Sequence, residues 1–246
     1  MMAFSRRSAL GILVAFAALQ ALAPRKGWAA QATAHPLRMG VIGAGSQGGT
    51  LGQLWVQAGH EVLFSSRHPD ELVSMTRLLG PRASVGTPRQ AAAFGSVILF
   101  TVPYDALPQL AQDLGAELRG KIVLDATNPS AGSDSALAKE AMANGVGQTS
   151  AKYLPGTRLV RAFSAVDASA VRASAGRQTG KLGVPIAGDD AEAVQVAAQL
   201  ARDAGCEPVV VGNLAAAKSF QRGGPGFRAN TTVPELRRLL GLSEGK

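Results

Sequence analysis

Cysteine, histidine and aromatic side chains are scarce in this chain, and each shortage excludes a kind of chemistry. The 246 residues include one cysteine, Cys206, and three histidines, while aromatic residues reach only 5%. A single cysteine cannot close a disulfide within the chain, and so few ligands provide no metal cluster. So few aromatics also argue against a surface on which bases stack. We therefore expect no metal site and no nucleic-acid binding.

Positive charge is concentrated at the beginning of the sequence. The formal net charge is +8, but four basic residues, Arg6, Arg7, Arg25 and Lys26, precede His35, and no acidic residue does. The rest of the chain therefore carries only +4. It has no basic run that would follow a phosphate backbone, so the charge gives no reason to expect nucleic acid as a partner.

The first 34 residues have the three-part pattern of a secretory signal. Arg6 and Arg7 stand just before an apolar stretch over residues 10–23, and small residues follow at 30–34. Paired arginines are typical of the twin-arginine (Tat) export route. We predict that residues 1–34 are a signal peptide cleaved near residues 30–34, that the Tat machinery is a partner, and that the mature protein is periplasmic. A membrane anchor is the alternative, but a bilayer core of about 30 Å usually takes about 20 apolar residues.

From residue 37 onward, apolar runs alternate with helical stretches at the spacing of βα units. We predict eight strands, over residues 37–42, 61–64, 83–85, 97–102, 122–126, 158–163, 184–187 and 207–211. This alternation predicts an α/β fold of the Rossmann type, with a doubly wound, mostly parallel sheet. Residues 35–212 would form one NADP-binding domain, and a loop and helix over residues 213–246 would complete it.

Turn and cap residues mark the ends of the predicted helices. We predict helices over residues 47–58, closed by Gly59, over 70–79, over 88–94 and over 136–143. Asp70 is predicted to cap the second of these, and either Asp189 or Asp190 a later helix that ends at Gly205. A final helix would begin at a capping box made by Thr232 and Glu235.

A G-x-G-x-x-G motif lies directly between the first predicted strand and the first predicted helix. It consists of Gly43, Ala44, Gly45, Ser46, Gln47 and Gly48. The first glycine permits a tight turn, the second lets the backbone approach a pyrophosphate, and the third lets the helix pack on the strand. Free N–H groups at the helix start would face the anion. Because a strand and a helix flank the motif, we expect these six residues to bind a dinucleotide rather than form a simple turn.

The end of the second predicted strand indicates which dinucleotide is bound. An enzyme that uses NAD usually has an acidic residue here, which accepts from the ribose 2′-hydroxyl and would repel a 2′-phosphate. This chain has Ser65, Ser66 and Arg67, whose hydroxyls and guanidinium suit a phosphate dianion. We therefore predict NADP(H) as the cofactor. A solvated loop arginine is the alternative.

Two further segments end strands at the same edge of the predicted sheet. Thr101, Val102 and Pro103 close the fourth strand, and Asn128 follows the fifth. Turn chemistry alone could explain the prolines and Asn128. Their matching position nevertheless favours contact with the nicotinamide half of the cofactor.

No side chain is well placed as a catalytic acid or base. His35 lies at the expected processed end, His60 starts a strand and His68 adjoins the adenine side. No Tyr-x-x-x-Lys is present, because Lys152 and Tyr153 are adjacent. We assign no catalytic residue. Hydride transfer from nicotinamide to a flavin-like ring fits this composition, because such an acceptor delocalises its own charge.

The order of these motifs resembles the NADPH-dependent reductases of the deazaflavin coenzyme F420, which are related to the nucleotide domain of membrane ferric reductases. The matching pieces, as they stand in this sequence, are residues 40–45, 59–62, 65–67, 102–104, 125–129, 154–156, 160–163 and 188–190. The resemblance implies that residues 43–48 hold the pyrophosphate, Ser66 and Arg67 the 2′-phosphate, and Val102, Pro103 and Asn128 the nicotinamide side. Where the family commonly has Asn after Ala-Phe, this chain has Ser164.

The acceptor and the assembly stay open at this point. The change at Ser164 shortens a polar group near the expected acceptor, so the acceptor could be coenzyme F420, a flavin, a quinone or a small carbonyl or imine compound. A module that binds NADP(H) without turnover is a second hypothesis, because a nucleotide fold alone does not establish catalysis. A reductase similar to pyrroline-5-carboxylate reductase is a third, and few residues follow Val211 for the helical dimerisation domain of that type. A homodimer stays open.

Overall fold

The computed structural model describes residues 36–243, and the predicted signal peptide lies outside them. Their central element is an eight-stranded sheet in the order β3-β2-β1-β4-β5-β6-β7-β8. The strands are β1 (Arg38–Ile42), β2 (Glu61–Ser65), β3 (Ala83–Gly86), β4 (Val97–Phe100), β5 (Ile122–Asp125), β6 (Arg158–Arg161), β7 (Gly183–Gly188) and β8 (Glu207–Gly212). The first six follow the strand order of doubly wound dinucleotide-binding folds. The predicted fold class is confirmed.

The last two strands, β7 and β8, run opposite to the first six. β6 and β7 pair antiparallel, through Val160 with Gly188 and Arg161 with Ala187, whereas the other neighbours pair parallel. The chain therefore returns to the carboxyl edge of β6 before β7 begins. As a result, Asp189 and Asp190, which follow β7, lie at the opposite edge of the sheet from the ends of β1 to β6.

Nine α-helices are present in residues 36–243: α1 (Ser46–Gln57), α2 (Asp70–Leu79), α3 (Pro88–Phe94), α4 (Leu107–Leu118), α5 (Ala136–Asn144), α6 (Val146–Tyr153), α7 (Ala168–Ala175), α8 (Ala191–Asp203) and α9 (Val233–Leu239). Short 3₁₀ helices cover Tyr104–Ala106 and Leu214–Phe220. The sequence did not predict α4, α6 or α7. No helix within this range is long and apolar enough to span a membrane.

The core lies on both faces of the sheet. Every residue of β4 and of β5 is buried, and alternate side chains of each strand point to opposite faces. Val97 and Leu99 join Trp55 of α1 in one apolar cluster. Ile98 and Phe100 join Leu114 of α4 in another. Burying a side chain of this size contributes about 1.5–3 kcal/mol, so the two layers hold the strand ends, and with them the site, in fixed positions.

The caps agree with the sequence at some helices and differ at others. Thr87 and Gln90 form a capping box at α3, with Pro88 as its first residue, and Asp190 caps α8 through the N–H of Ala193. Asp189 instead accepts from the N–H of Leu214. The predicted cap of α2 was wrong, because Pro69 holds the cap position and Asp70 is already helical.

The capping box predicted for the last helix was also wrong. Thr232 occupies the cap position of α9 but makes no side-chain cap bond. Glu235 turns to Arg238 instead and forms an ion pair with it on the same helix. An ion pair at this spacing satisfies the carboxylate locally, which removes it from the backbone N–H that a capping box needs.

Candidate functional site

The glycine loop is fixed by backbone contacts to the end of β2. Gly43 has a φ of +101°, a conformation that favours glycine. The N–H groups of Gly43 and Ala44 both donate to the carbonyl of Ser65, at 3.1 and 2.8 Å. These contacts set the distance between the loop after β1 and the residues Ser66 and Arg67.

The start of α1 has the features of an anion site. Gly45 is the cap residue and provides no side-chain cap, and no hydrogen bond among residues 36–243 uses the N–H of Ser46 or Gln47. A Cβ added to Gly45 would meet nothing within 4 Å. Free N–H groups and the positive end of the helix dipole attract an anion, and the open space at Gly45 lets it approach. The residues present therefore fit a pyrophosphate.

Gly48 has a different role from Gly45. A Cβ at Gly48 would lie 2.4 Å from Oγ1 of Thr101 and 2.5 Å from the carbonyl of Gly43. Thr101 Oγ1 donates to that same carbonyl at 2.7 Å. Gly48 thus allows the helix, the loop and the end of β4 to pack together, as the motif predicts.

A cavity of about 600 Å³ opens beside this loop, within the range of cofactor pockets. Nine of the thirteen predicted site residues line it: Gly43, Ala44, Gly45, Ser65, Ser66, Arg67, Thr101, Val102 and Pro103. The other four, Ser46, Gln47, Gly48 and Asn128, do not line it. The structure therefore brings the predicted pyrophosphate, 2′-phosphate and β4 segments to one cavity, while Asn128 lies outside its lining.

The serines and the arginine after β2 are not equivalent. The Ser65 hydroxyl is buried and donates to the carbonyl of Val41 at 2.9 Å, so it is already engaged. The Ser66 hydroxyl accepts from the N–H of His68 at 3.1 Å and keeps its own proton to donate. Arg67 is exposed and forms no ion pair within the described chain. Ser66 and Arg67 are thus the groups free to meet a phosphate.

Sequence reasoning missed the far wall of the cavity. This wall consists of His68, Glu71, Leu72, Pro88, Ala106, Gln109 and Leu110. His68 lies just before α2, and the others belong to α2, α3, α4 and the 3₁₀ turn, which follow β2, β3 and β4. A rule that assigns the first turn after each of these strands to the site would have found most of them. Glu71 brings a carboxylate to the cavity rim, which the sequence did not predict.

Beside the cavity, polar contacts tie together the segments after β5 and β6. Asn128 Nδ2 donates to the carbonyl of Ser164 at 2.7 Å, and Gln47 Nε2 donates to the carbonyl of Phe163 at 3.1 Å. Phe163 has a φ of +60°, which is rare for a bulky residue. The predicted residues Gln47 and Asn128 are therefore engaged within the protein.

A buried ion pair lies beneath these contacts. Arg161 Nη1 donates to Asp125 Oδ2 at 2.7 Å, and both side chains are 0% exposed. Both residues lie in segments that resemble the family, but the sequence analysis gave neither a role. Thirty-six positions separate them, so the sequence does not show that they meet. Only the adjacency of β5 and β6 brings them together.

Tyr104 and Cys206 are buried and hold their protons. Burial raises the pKa of Tyr104 to about 12 and that of Cys206 to about 11. The Tyr104 hydroxyl has Ser150 as its neighbour, at 3.4 Å. Neither group titrates near neutral pH, so neither has the pKa of a general acid or base that works there.

Comparison with known proteins gives a consistent picture. Residues 38–129 match the family described as NADP oxidoreductase, coenzyme F420-dependent. The chain is 30% identical over 191 residues to metalloreductase STEAP3 of Rattus norvegicus, covering 75% of this chain and 36% of that protein. The chain thus spans about a third of this relative's length.

Two solved structures share the fold. A hypothetical protein from Sinorhizobium meliloti superposes with a TM-score of 0.65 at 25% identity, covering 78% of this chain and 93% of the other. A protein from Arthrobacter sp. FB24, described as an F420-dependent NADP-reductase, gives a TM-score of 0.64 at 20% identity, over 84% of this chain and 96% of the other. These structures support the fold over most of the described residues.

Proposed function

We propose, from the premise that residues 38–129 belong to the family of coenzyme F420-dependent NADP oxidoreductases, that this chain transfers a hydride from NADPH to a flavin-like or deazaflavin acceptor. Bound NADPH would supply the hydride, and a proton from solvent would complete reduction of the acceptor ring. The protein's own part would be to bind the nucleotide, align the rings and keep water from the transfer.

One observation carries the nucleotide half of this proposal. The uncapped start of α1 and the free donors of Ser66 and Arg67 meet at the same 600 Å³ cavity. A dinucleotide with a 2′-phosphate needs an anion site for its pyrophosphate and a second one for that phosphate. Glu71 also lines the cavity, and its carboxylate would repel a phosphate unless Arg67 balanced that charge. We therefore assign the cavity to the adenosine half of NADPH.

The choice of a flavin-like acceptor is supported by the residues at the carboxyl ends of the strands. The segments after β4 and β6 carry small side chains there, Thr101 and the buried Ser164. Tyr104, which follows β4, is held protonated by burial. An acceptor that needs a protein acid would be poorly served, whereas a flavin-like ring can take its proton from water. This favours a flavin-like acceptor over a carbonyl compound.

Binding and turnover test the proposal in sequence. Purified protein is titrated with NADPH and NADH by calorimetry, and NADPH oxidation is then followed with coenzyme F420, FMN and riboflavin. We expect tighter binding of NADPH and reduction of at least one ring. Absence of NADPH binding overturns the proposal, and tight binding without oxidation by any acceptor assigns the chain to a sensing role. A Gly45→Val variant, which is expected to fold but not to bind the nucleotide, serves as the negative control.

We also propose that the protein is exported by the Tat route and works in the periplasm. The support is the paired Arg6 and Arg7 before the apolar stretch and the export of already folded proteins by this route. A cofactor held by a preformed fold could be loaded before export. The arginine replacement described in the Discussion tests this.

A further inference from the structure

The guanidinium of Arg161 joins the ends of two strands at the edge that faces the candidate site. Nη1 donates to Asp125 Oδ2 and to the carbonyl of Thr127, both at 2.7 Å, and Nη2 donates to Asn128 Oδ1 at 3.1 Å. Asp125 in turn accepts from the backbone N–H of Thr127 at 2.9 Å and from its hydroxyl at 2.5 Å. One buried cation thus sets the path of the backbone that leaves β5.

The same contacts continue into the segment after β6. Three successive carbonyls, those of Phe163, Ser164 and Ala165, accept from Gln47 Nε2, Asn128 Nδ2 and the N–H of Arg228, at 3.1, 2.7 and 2.8 Å. The three donors come from the first turn of α1, the loop after β5 and the loop before α9. They hold Phe163 at its positive φ, which persists only where the surroundings determine it.

Stability alone does not account for this arrangement. A buried ion pair is usually no more stabilising than apolar residues of the same volume. Arg161 Nε, although buried, has no partner among the described residues, so the pair is not fully satisfied. What the pair provides beyond an apolar substitute is a set of directed bonds to Thr127 and Asn128, at the edge where a nicotinamide would lie.

Building on the proposed hydride transfer, we propose that Arg161 is a positioning residue, which acts through Asn128 to fix the Phe163–Ser164 backbone against the nicotinamide and its acceptor. Asn128, predicted from the sequence to touch the nicotinamide, is in this proposal the link between the guanidinium and that backbone. A displacement of about 1 Å in such a support can lower a rate by about a hundredfold. The adenosine half of the cofactor, bound at β1 and β2, should not depend on it.

Three variants test this. Arg161→Lys keeps the charge beside Asp125 but cannot span Asp125, Thr127 and Asn128 with one ammonium group. Asp125→Asn with Arg161→Met removes both charges and keeps an oxygen that can accept from Thr127. Arg158→Lys makes the same substitution at the other end of β6, where Arg158 pairs with Asp190 and Glu192, and serves as the control.

The readouts separate positioning from folding. Titration with 2′,5′-ADP counts folded sites and gives the affinity for the adenosine half. The fluorescence of bound NADPH reports the nicotinamide environment, and kcat per 2′,5′-ADP site is measured with the acceptor that the wild-type chain reduces best.

We expect both Arg161 variants to bind 2′,5′-ADP like the wild type, to alter the nicotinamide fluorescence, and to lower kcat per site by about tenfold to a hundredfold. Arg158→Lys should match the wild type in all three. Wild-type kcat per site and fluorescence in either Arg161 variant overturn the proposal, as does a parallel loss of 2′,5′-ADP affinity. Failure of both variants to fold also overturns it, by assigning the pair to stability. A wild-type chain that binds no NADPH instead refutes the proposed function, before any variant is compared.

Discussion

The hydroxyl of Ser65 donates to the carbonyl of Val41 across the β1–β2 pair, 2.9 Å away and buried from solvent. The ends of β1 and β2 are therefore tied together by a side chain as well as by the strand ladder. This leaves Ser66 and Arg67, not Ser65, as the side chains that can donate to a 2′-phosphate.

Replacing Ser65 with Ala should affect stability and not cofactor choice. The lost hydrogen bond is expected to lower the free energy of unfolding by about 0.5–1.5 kcal/mol, measured by urea denaturation. The ratio of NADPH to NADH affinity should stay at the wild-type value. A large fall in that ratio would show that the hydroxyl turns toward the ligand when the cofactor binds.

Replacing Arg67 with Ala should weaken the binding of NADPH and leave that of NADH unchanged. A charge-assisted contact contributes about 1.5–3 kcal/mol, equivalent to about tenfold to a hundredfold in affinity. Because NADH lacks the 2′-phosphate, the two dissociation constants should converge, which calorimetry can measure. Arg77, exposed on α2 and absent from the cavity lining, is the matched control. If the binding of NADPH and of NADH weakened equally, Arg67 would act as a general surface charge and not as a contact to the 2′-phosphate.

Two glycines of one motif should respond differently to the same substitution. Gly45→Val should abolish nucleotide binding in a folded protein, because the new side chain fills the open space that the pyrophosphate would enter, and the backbone at φ −79° accepts it. Gly48→Val should instead destabilise the fold by about 1–3 kcal/mol or more, because its Cβ would overlap the Gly43 carbonyl. Thermal unfolding and NADPH titration distinguish the two. If Gly45→Val retained its affinity for NADPH, the glycine loop would be a simple turn with no role in binding the pyrophosphate.

Tyr104 should make stability fall at high pH. Its pKa is raised from 10.0 to about 12 by burial, so the folded state keeps a proton that the unfolded state loses. The stabilising contribution is complete below about pH 10 and is lost as the pH rises toward about 12. Ultraviolet titration of the phenolate, compared between the wild type and Tyr104→Phe, should show this group ionising near pH 12. The variant should show a flatter decline of unfolding free energy between pH 10 and 12. A Tyr104 phenolate that forms near pH 10 instead would place the group in contact with solvent.

Export should depend on the paired arginines. Replacing both Arg6 and Arg7 with Lys preserves the charge but removes the arginines on which we expect the Tat route to depend. Fractionation and immunoblotting should then find uncleaved precursor in the cytoplasm. Normal export of the double variant would favour the general secretory route.

Local signals in the sequence predicted much of the fold correctly. The alternation of apolar runs gave all eight strands, and Gly43, Gly45 and Gly48 identified the loop after β1, because a strand, a glycine turn and a helix start are each determined by neighbouring residues. The start of α3 at Pro88 was predicted in the same way, whereas the capping box between Thr87 and Gln90 was seen only in the structure. Errors arose where a side chain had a second partner, as Glu235 does in Arg238.

Two of the three helices that the sequence did not predict, α6 and α7, are short. α6 begins directly after Gly145, whose φ of +102° separates it from α5, and α7 spans only Ala168–Ala175. Short helices have little intrinsic stability and form because they pack. Their sequences alone therefore carry weak evidence.

The sequence by itself determined the order of the strands along the chain, the glycine loop after β1 and the positive group that follows β2, because each depends on residues that are adjacent in the chain. Only the tertiary structure decided that β7 runs antiparallel, that Ser65 turns inward, and that Arg161 reaches Asp125 and Asn128 across two strands. Strand direction and side-chain partners depend on which segments pack together. The polar groups of a short sequence can be hydrogen-bonded in several ways, and only the packed neighbours decide which of these forms.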